Sequence, residues 1–377
     1  MIKLGEKKKI LVVDDSALMR RVICDIINSD ESFEAVDVAK DGVEAFALLT
    51  DHQYDAVLLD INMPRMSGLE LLEKLKKHRI KANVVMNSTL TRDGAEETIK
   101  ALELGALDFF NKPDNFIAAK GTDYRKTLLE VVRVATRVAI KRKSRDVGTK
   151  REQGVAADNA EEKRVTIGSR QRNMSLRTGN QPVVNKTGKI IALACSTGGP
   201  KSLQSVIPLL PANLPVPMLV VQHMPAGFTK SLADRLNDVS KVKVKEAEEG
   251  DLLFPGCVYI APGGRHMQVK SVGGSSKIVL MDEPPREGVK PCANYMYESL
   301  ADSSYEEIIC VVLTGMGADG TKGIQFLDKN KKTYVIAQDE ASSVVYGMPK
   351  AIAETGLVDE IVPLTKITER ILKNLGV

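Results

Sequence analysis

The sequence contains no tryptophan, and aromatic residues make up only 4% of its 377 residues. It has no uninterrupted apolar run of about 18 residues, so it predicts no membrane-spanning helix and no direct membrane insertion. The five cysteines are scattered without a Cys-x-x-Cys pair, which is typical of reduced thiols in the cytoplasm. The first nine residues are polar and basic, so a secretory signal is not expected.

Positive charge is concentrated in one part of the chain. The formal net charge is +4, yet residues 141–187 alone hold roughly 12 Lys and Arg against roughly 5 Asp and Glu. This stretch has no aromatic residue, and stacking on single-stranded nucleic acid needs aromatic side chains. We therefore interpret residues 141–187 as a flexible basic linker and expect no nucleic-acid partner. A weak basic arm for nucleic acid or membrane is the alternative.

Acidic residues follow two predicted strands in the first third of the chain. Residues 10 to about 119 alternate short apolar strands with helices, which predicts a parallel sheet with helices on both faces. Asp14 and Asp15 follow the first strand, and Asp60 follows the strand of residues 55–59. These strand ends share one edge, where clustered carboxylates suit Mg²⁺. Lys112 ends a later strand and can reach the same edge as a point charge for phosphate.

The order of these residues resembles a response-regulator receiver domain over residues 8–125. The matching motifs are Asp14-Asp15, Asp60 with Met63-Pro64 and Gly68, Ser88-Thr89, and Lys112-Pro113. The resemblance implies a flavodoxin-like fold and a histidine kinase as phosphodonor. The residues it implies are Asp60 as the phosphorylation site, Asp14, Asp15, Asp60 and Asn62 as Mg²⁺ ligands, and Ser88, Phe109 and Lys112 as the groups that respond to the phosphoryl group.

Asn87 stands in a predicted strand at a position where an apolar residue is expected. It leaves open how the neighbouring Ser88 responds to a phosphoryl group on Asp60.

The receiver ends in a predicted helix. Apolar residues with a period near 3.6 predict a helix from about Tyr124 that extends the domain to residue 143. As a flexible coil, the following linker spans about 35–40 Å, which would let the receiver dock on its neighbour or leave it.

Strands resume at residue 188, and the first of them ends in Ser196. Lys189 to Pro200 reads as an apolar strand, a Ser-Thr-Gly-Gly turn and a helix beginning near Pro200. A hydroxyl at a strand end and before a helix N-terminus lies where α/β sheets place their ligands. Taken alone, the stretch fits a phosphate-binding glycine turn or a plain strand-to-helix connection better than a catalytic serine. Cys195, next to Ser196, is interpreted as packing.

Two further polar residues follow strands of the same predicted sheet. His223 comes directly after the strand of residues 218–221, and Asp319 lies in a glycine-rich loop after the strand of residues 308–313. Together with Ser196, they supply a nucleophile, a base and a group that orients the base. His266 follows Pro262-Gly263-Gly264-Arg265, a loop that we place beside the same cleft. The sequence does not carry the Gly-x-Ser-x-Gly motif of ordinary α/β-hydrolases.

Residues 188–375 resemble the catalytic domain of the chemotaxis protein-glutamate methylesterases. The resemblance implies that Ser196 is the nucleophile, His223 the base and Asp319 its partner, with Met316 giving an oxyanion N–H and Thr197 supporting the histidine. The motifs that carry it are Ser196-Thr197-Gly198-Gly199-Pro200, Gln222-His223-Met224-Pro225-Ala226-Gly227-Phe228-Thr229, Ala261-Pro262-Gly263, Leu313-Thr314-Gly315-Met316-Gly317-Ala318-Asp319-Gly320 and Tyr346-Gly347-Met348-Pro349.

The sequence thus predicts two doubly wound α/β domains: a flavodoxin-like receiver and a Rossmann-like α/β/α serine hydrolase domain. The resemblance implies a phosphorylation-regulated enzyme that hydrolyses glutamate methyl esters on chemoreceptors, with glutamine deamidation as a second activity left open. We expect Mg²⁺ in the receiver and no cofactor in the catalytic domain. The alternative is a phosphorylation-controlled adaptor whose second domain is inactive. A receiver-linked transcription factor would need a basic recognition helix, which the sequence lacks outside the linker.

Overall fold

The computed structural model describes residues 6–89, 91–113, 121–148, 188–273 and 275–377. The predicted linker lies outside these residues, apart from 141–148, which continue a helix of the receiver. Among the residues that the structure describes, no helix has the length and hydropathy needed to cross a bilayer.

The first part of the chain folds around a five-stranded parallel sheet with the strand order β2-β1-β3-β4-β5. This is the flavodoxin-like order, and the direction of winding reverses between β1 and β3. The strands are β1 (Lys8–Val13), β2 (Phe33–Ala39), β3 (Ala56–Asp60), β4 (Val84–Ser88) and β5 (Asp108–Asn111). The helices are α1 (Ala17–Asn28), α2 (Gly42–Asp51), α3 (Gly68–Lys77), α4 (Arg92–Leu104) and α5 (Thr122–Gly148).

Local sequence signals explain where these helices begin. Ser67 and Glu70 form a reciprocal capping box at the start of α3, and the Asp41 side chain accepts hydrogen bonds from the first turn of α2. Gly68 is required by close packing, because a Cβ at this position would lie 2.2 Å from the Asp60 carbonyl oxygen. The helix α3 therefore starts tightly against the end of β3.

The second part of the chain folds around a seven-stranded parallel sheet with the order β14-β13-β12-β6-β7-β9-β8. Its strands are β6 (Lys189–Cys195), β7 (Met218–Gln222), β8 (Lys243–Glu246), β9 (Cys257–Ile260), β12 (Glu307–Val312), β13 (Lys332–Gln338) and β14 (Glu360–Val362). The winding reverses between β6 and β12, and ligand crevices form at such a reversal, outside the carboxyl ends of the strands.

Helices cover this sheet, and an antiparallel hairpin lies beside it. The hairpin consists of β10 (His266–Val272) and β11 (Ser275–Met281). The helices are α6 (Gly199–Val206), α7 (Phe228–Val239), α8 (Ala293–Ser299), α9 (Thr321–Asp328), α10 (Met348–Ala353) and α11 (Ile367–Leu375). The strands β6, β7 and β12 are buried along almost their whole length, which explains their continuous apolar sequences.

The predicted doubly wound fold is confirmed for both parts of the chain. The sequence analysis missed the outer strands β2, β8 and β14 and the hairpin β10–β11. These segments mix exposed with buried residues, as in Phe33–Ala39, so their apolar pattern is weaker than that of a central strand. The hairpin also corrects the expectation of parallel strands alone.

Candidate catalytic and acidic sites

Three carboxylates and one lysine meet at the carboxyl ends of β1, β3 and β5. Carboxylate oxygens of Asp14, Asp15 and Asp60 lie within 4.8 Å of one another. Lys112 directly follows β5, and its Nζ lies 2.5 Å from Asp60 Oδ2 and 3.1 Å from Asp14 Oδ2. We call these four residues the acidic edge. The structure thus brings together the charged side chains that the sequence placed at this end of the sheet.

Burial sets the electrostatics of the acidic edge. Desolvation raises the pKa of Asp60 to about 6, against the opposing effect of Lys112. Burial would lower the pKa of Lys112, but Asp60 and Asp14 together raise it above its usual value. Asp14 Oδ2 is buried, and beyond its ion pair with Lys112 it receives no hydrogen bond from the described residues. An oxygen-only donor set with an excess of negative charge, in which Asp14 and Asp60 are buried and Asp15 is exposed, fits Mg²⁺.

Ser88 and Phe109 both face other elements rather than Asp60. The Ser88 hydroxyl donates to the Gly94 carbonyl at 3.2 Å and accepts from the Thr98 hydroxyl at 2.6 Å, so it is bonded to α4. The Phe109 ring stacks on Phe228 of α7, with 4.8 Å between centroids and 10° between planes. Thr98, which holds Ser88, was missed by the sequence analysis because a threonine inside a helix carries no distinctive signal.

Two asparagines near the acidic edge differ in their surroundings. The Asn62 side chain donates to Glu97 of α4 at 3.2 Å, and coordination of Mg²⁺ by its carbonyl stays a prediction. Asn87 pairs with Asp60 across β3 and β4, and it is 2% exposed. Neither carboxamide atom of Asn87 has a hydrogen-bond partner among the described residues. Asn87 therefore lowers the stability of the fold relative to an apolar residue, because its buried carboxamide makes no hydrogen bond to the described residues.

Ser196 lies at the crevice between β6 and β12. Its N–H donates to the Thr314 carbonyl at 3.0 Å, and its carbonyl accepts from the Gly199 N–H at 2.6 Å. Gly198 has φ +76°, and a Cβ there would lie 2.6 Å from Val344, so the turn between Ser196 and α6 needs glycine. The helix α6 begins at Gly199 with Pro200 in its first turn, as the sequence predicted.

His223, which is partly buried, and Asp319, which is buried, form a pair beside this turn. His223 follows β7 directly, and its Nε2 lies 2.8 Å from Asp319 Oδ2. An ionised carboxylate can only accept, so Nε2 carries the hydrogen of this bond. The other ring nitrogen, Nδ1, is then free to accept the proton of a hydroxyl. We call Ser196, His223 and Asp319 the catalytic edge.

A cradle of donors holds the Asp319 carboxylate. Backbone N–H groups of Ala293, Asn294 and Gly320 donate to it at 2.6, 3.0 and 2.9 Å, and the Cys292 thiol lies 3.0 Å from Oδ1. Burial alone would raise the pKa of Asp319, but the bond from His223 and this cradle hold it below its usual range. Apart from Gly320, which follows Asp319 itself, the cradle comes from the start of α8, which the sequence analysis missed.

His266 supports this cradle rather than the cleft. It is fully buried as the first residue of β10, its Nδ1 accepts from the Cys292 N–H at 3.1 Å, and its Nε2 donates to the Pro284 carbonyl at 3.1 Å. His266 itself is therefore not available to the cleft, because both ring nitrogens are used inside the protein. The preceding loop lies against the segment that follows His223, since a Cβ at Gly263 would lie 2.2 Å from the Pro225 carbonyl oxygen.

The loop after β12 passes directly against the nucleophile. A Cβ at Gly315 would lie 2.8 Å from the Ser196 Cβ. The Gly315 carbonyl accepts from the N–H groups of Gly347 and Met348 at 3.1 and 2.9 Å, which anchors the loop to α10. Met316, the residue assigned an oxyanion N–H by resemblance, follows immediately, and its side chain is 45% exposed.

The receiver packs against the catalytic edge. Asp108 of β5 lies beside the side chain of Thr197, next to Ser196, and burial raises the pKa of Asp108 to about 6. Thr197 thus contacts the receiver in this structure, and its predicted support of His223 is untested. A second contact joins α4 to α7, where Arg235 Nε donates to Glu103 Oε1. Val344, beside the Ser196 turn, packs against the receiver core.

The fold and the sites together define the class of this protein. It joins a receiver-type α/β domain to a second α/β domain, which carries a serine, a histidine and an aspartate at one crevice at the strand ends. The family model for the CheB methylesterase matches residues 191–371, and that for the response regulator receiver domain matches residues 10–118.

Relatives match along nearly the whole chain. The protein-glutamate methylesterase/protein-glutamine glutaminase 1 of Syntrophomonas wolfei is 42% identical, covering 98% of this chain and 99% of its own. A protein-glutamate methylesterase/protein-glutamine glutaminase of Pyrococcus abyssi is 41% identical, with 98% and 94% covered. One of Halalkalibacterium halodurans is 40% identical, with 97% of each covered. The chain belongs to the CheB family of protein-glutamate methylesterases/protein-glutamine glutaminases.

Proposed function

We propose that this protein hydrolyses methyl esters of glutamate side chains on chemoreceptors, releasing methanol during sensory adaptation. The observation that carries the proposal is the His223–Asp319 pair beside Ser196, in the crevice where the winding of the seven-stranded sheet reverses. Relatives that match nearly the full chain are named protein-glutamate methylesterases, which supports this substrate.

The chemistry follows from the proton positions at the catalytic edge. Ser196 Oγ attacks the ester carbonyl while His223 Nδ1 takes its proton, and the imidazolium that forms is stabilised by Asp319. The Met316 N–H stabilises the oxyanion. His223 then returns the proton to the departing methoxide, which leaves as methanol, and an ester of glutamate with Ser196 remains. Water, deprotonated by His223, releases glutamate and restores the serine.

Glutamine deamidation would use the same steps with ammonia as the leaving group. The three relatives carry protein-glutamine glutaminase in their names. An amide nitrogen must be protonated before it leaves, so this activity depends more strongly on the proton held by His223. We propose it as a second activity of the same residues.

The acidic edge would accept a phosphoryl group on Asp60 from a chemotaxis histidine kinase. Asp14, Asp15, Asp60 and the Asn62 carbonyl would hold Mg²⁺, which when bound neutralises negative charge on the phosphoryl oxygens. Lys112 would move from Asp60 to a phosphoryl oxygen, and Ser88 would exchange its bond to Gly94 for another phosphoryl oxygen. Phe109 lies on β5, which pairs with the strand β4 that carries Ser88, and its ring stacks on Phe228 of the catalytic domain. A rearrangement of Ser88 would therefore alter this stack.

In this account the receiver is an inhibitory lid. Its contacts through Asp108 and Phe109 lie next to Thr197 and at the first residue of α7, so a large substrate could not approach Ser196 past them. We propose domain boundaries of 8–125 for the receiver and 188–375 for the catalytic domain, with a linker of 141–187 whose first residues, 141–148, are the end of α5. We also propose a cytoplasmic location, which the five free cysteines support.

The test is methanol release from methylated chemoreceptor membranes by the full chain supplied with acetyl phosphate and Mg²⁺. Ser196→Ala should lower turnover by about 10³-fold or more. Ser205→Ala is the matched control, because its hydroxyl lies on α6 and bonds to the helix at the Lys201 carbonyl. A folded Ser196→Ala protein with normal turnover would remove the catalytic assignment, and a wild type without turnover would favour the adaptor alternative.

A further inference from the structure

The carbonyl groups of Ser196 and His223 lie just beyond the hydrogen-bonded part of the sheet. The ladder between β6 and β7 ends at the pair Cys195 and Gln222, so Ser196 and His223 are the first residues beyond it. Their carbonyl groups are no longer bonded within the sheet, and a buried carbonyl without a donor is costly. The relative position of nucleophile and base depends on how these two carbonyls are held.

One buried side chain bonds to both carbonyls. Gln222 Nε2 donates to the Ser196 carbonyl at 3.1 Å and to the His223 carbonyl at 3.1 Å. Its Oε1 accepts from the Cys195 thiol at 3.0 Å. Gln222 is only 2% exposed, so both amide hydrogens and the amide oxygen are used inside the protein.

The residues around Ser196 pack closely against the Gln222 amide. A Cβ at Gly199 would lie 1.9 Å from Gln222 Oε1, so the first residue of α6 has to be glycine as long as the glutamine occupies this place. The Gly199 N–H also donates to the Ser196 carbonyl at 2.6 Å. Gln222 is therefore enclosed by the residues on either side of the nucleophile, Cys195 and Gly199.

Resting on the proposed function, we propose that Gln222 is a positioning residue that fixes the backbone of Ser196 relative to that of His223. It touches neither the ester nor a reacting atom. Its amide joins the two loops that carry nucleophile and base just beyond the last backbone bond between them, which runs from the His223 N–H to the Cys195 carbonyl at 3.2 Å. Misplacement of reacting groups by about 1 Å can cost about 10²-fold in rate, so loss of this amide should lower kcat and leave KM nearly unchanged.

The decisive variant is Gln222→Met, which keeps the side-chain length and removes both donors. Tyr297→Phe is the matched control, because the Tyr297 hydroxyl is also a buried donor shared by two backbone carbonyls of this sheet, those of Ala192 and Val311. The full chain is assayed with acetyl phosphate and Mg²⁺ for methanol release. In parallel, the rate at which a fluorophosphonate probe labels Ser196 is measured.

We expect Gln222→Met to lower kcat and the labelling rate by about 10²-fold, with KM within about twofold. Tyr297→Phe should lose comparable thermal stability and keep both rates. Equal rate losses in the two variants would show that Gln222 contributes only to stability, as any core residue does, and would contradict a positioning role. Normal labelling of folded Gln222→Met would overturn the inference outright. If the wild type labels at Ser196 but releases no methanol, the proposed substrate fails while the inference stands.

A gentler pair of variants keeps the test decisive if Gln222→Met does not fold. Cys195→Ala removes the donor to Gln222 Oε1, and Cys195→Ser retains one. A thiol is a weak donor, so Cys195→Ala should lower the labelling rate by about two- to threefold, and Cys195→Ser should restore it. Identical labelling rates in both variants and the wild type would contradict a role for the Gln222 amide.

Discussion

The two strand-end sites of this protein use a buried aspartate in opposite ways. Both lie where the winding of a parallel sheet reverses, Asp60 at the end of β3 and Asp319 in the loop after β12. Asp60 lies among other carboxylates, and burial raises its pKa to about 6. Asp319 is surrounded by five donors, which lower its pKa despite burial.

The comparison shows that sheet topology determines where each aspartate lies, whereas the hydrogen-bond donors around its carboxylate determine its chemistry. A carboxylate short of donors has reactive lone pairs and needs a cation, which suits a group that accepts a phosphoryl group. A carboxylate saturated by donors stays ionised and fixed, which suits a group that orients a histidine.

The largest expected effect comes from making the same substitution at the two edges. Asp60→Asn should abolish labelling of the chain by radioactive acetyl phosphate with Mg²⁺, because the accepting oxygen is lost. Asp319→Asn should leave this labelling intact and lower phosphorylated turnover by about 10²- to 10⁴-fold, because His223 loses its ionised partner. Labelling of Asp60→Asn, or full turnover by Asp319→Asn, would break the comparison.

The two aspartates should also respond to pH with opposite sign. The pKa of Asp60 is higher in the folded protein than in the unfolded chain, so its charge destabilises the fold as pH rises from about 4 to 6. Without Mg²⁺, Asp60→Asn should therefore stabilise the receiver by about 1–3 kcal/mol at pH 7, a gain that disappears below about pH 4.

Asp319 has a lowered pKa, so its stabilising effect is present above about pH 4 and is lost as pH falls further. Asp319→Asn should then destabilise the catalytic domain at pH 7 and have less effect in acid. Urea unfolding followed by circular dichroism at pH 3.5, 5 and 7 measures both variants. The same sign of pH dependence for both would contradict the assigned environments.

A smaller effect is expected where the receiver meets the catalytic domain. Phe109→Ala removes the stack on Phe228, and aromatic pairs contribute about 0.5–1.5 kcal/mol beyond their burial. Methanol release by the full chain without phosphodonor should therefore rise about 2- to 10-fold. Phe326→Ala, on the exposed face of α9, is the control and should change nothing. An unchanged rate for Phe109→Ala would show that this stack does not hold the receiver in place.

The smallest effect is expected for the ion pair between α4 and α7. Exposed ion pairs contribute about 0.2–1 kcal/mol, so Glu103→Gln should raise turnover without phosphodonor by about 1.5- to 5-fold. Added salt should reduce the difference from the wild type. Glu369→Gln breaks the exposed pair between Glu369 of α11 and Lys366, which precedes that helix, and is the charge-matched control. Equal rates for both variants at low salt would exclude this pair as a docking contact.

The sequence predicted the central strands and the residues that end them, because buried parallel strands are continuous apolar runs and polar residues mark their ends. Asp60, Ser196 and His223 were found in this way. The donors around them were not, because Gln222 reads as one more strand residue and the cradle of Asp319 is made of backbone N–H groups at the start of α8. Such groups carry no sequence signal until the fold brings them together.

Contacts between the domains were equally hidden from the sequence. The stack of Phe109 on Phe228 joins residues more than a hundred positions apart in different domains, and no local pattern predicts it. The role of His266 was hidden in the same way. The sequence places only the preceding glycine-rich loop beside the cleft, and the fold buries His266 and uses both its ring nitrogens.

We propose above all that the receiver covers the catalytic edge and that phosphorylation uncovers it. The most direct measurement compares methanol release by a fragment beginning at Gly188 with release by the full chain without phosphodonor, on the same receptor membranes. A coupling of about 1–3 kcal/mol predicts that the fragment is about 5- to 150-fold faster, and that acetyl phosphate with Mg²⁺ brings the full chain towards the fragment. A full chain that is already as fast as the fragment would contradict the claim.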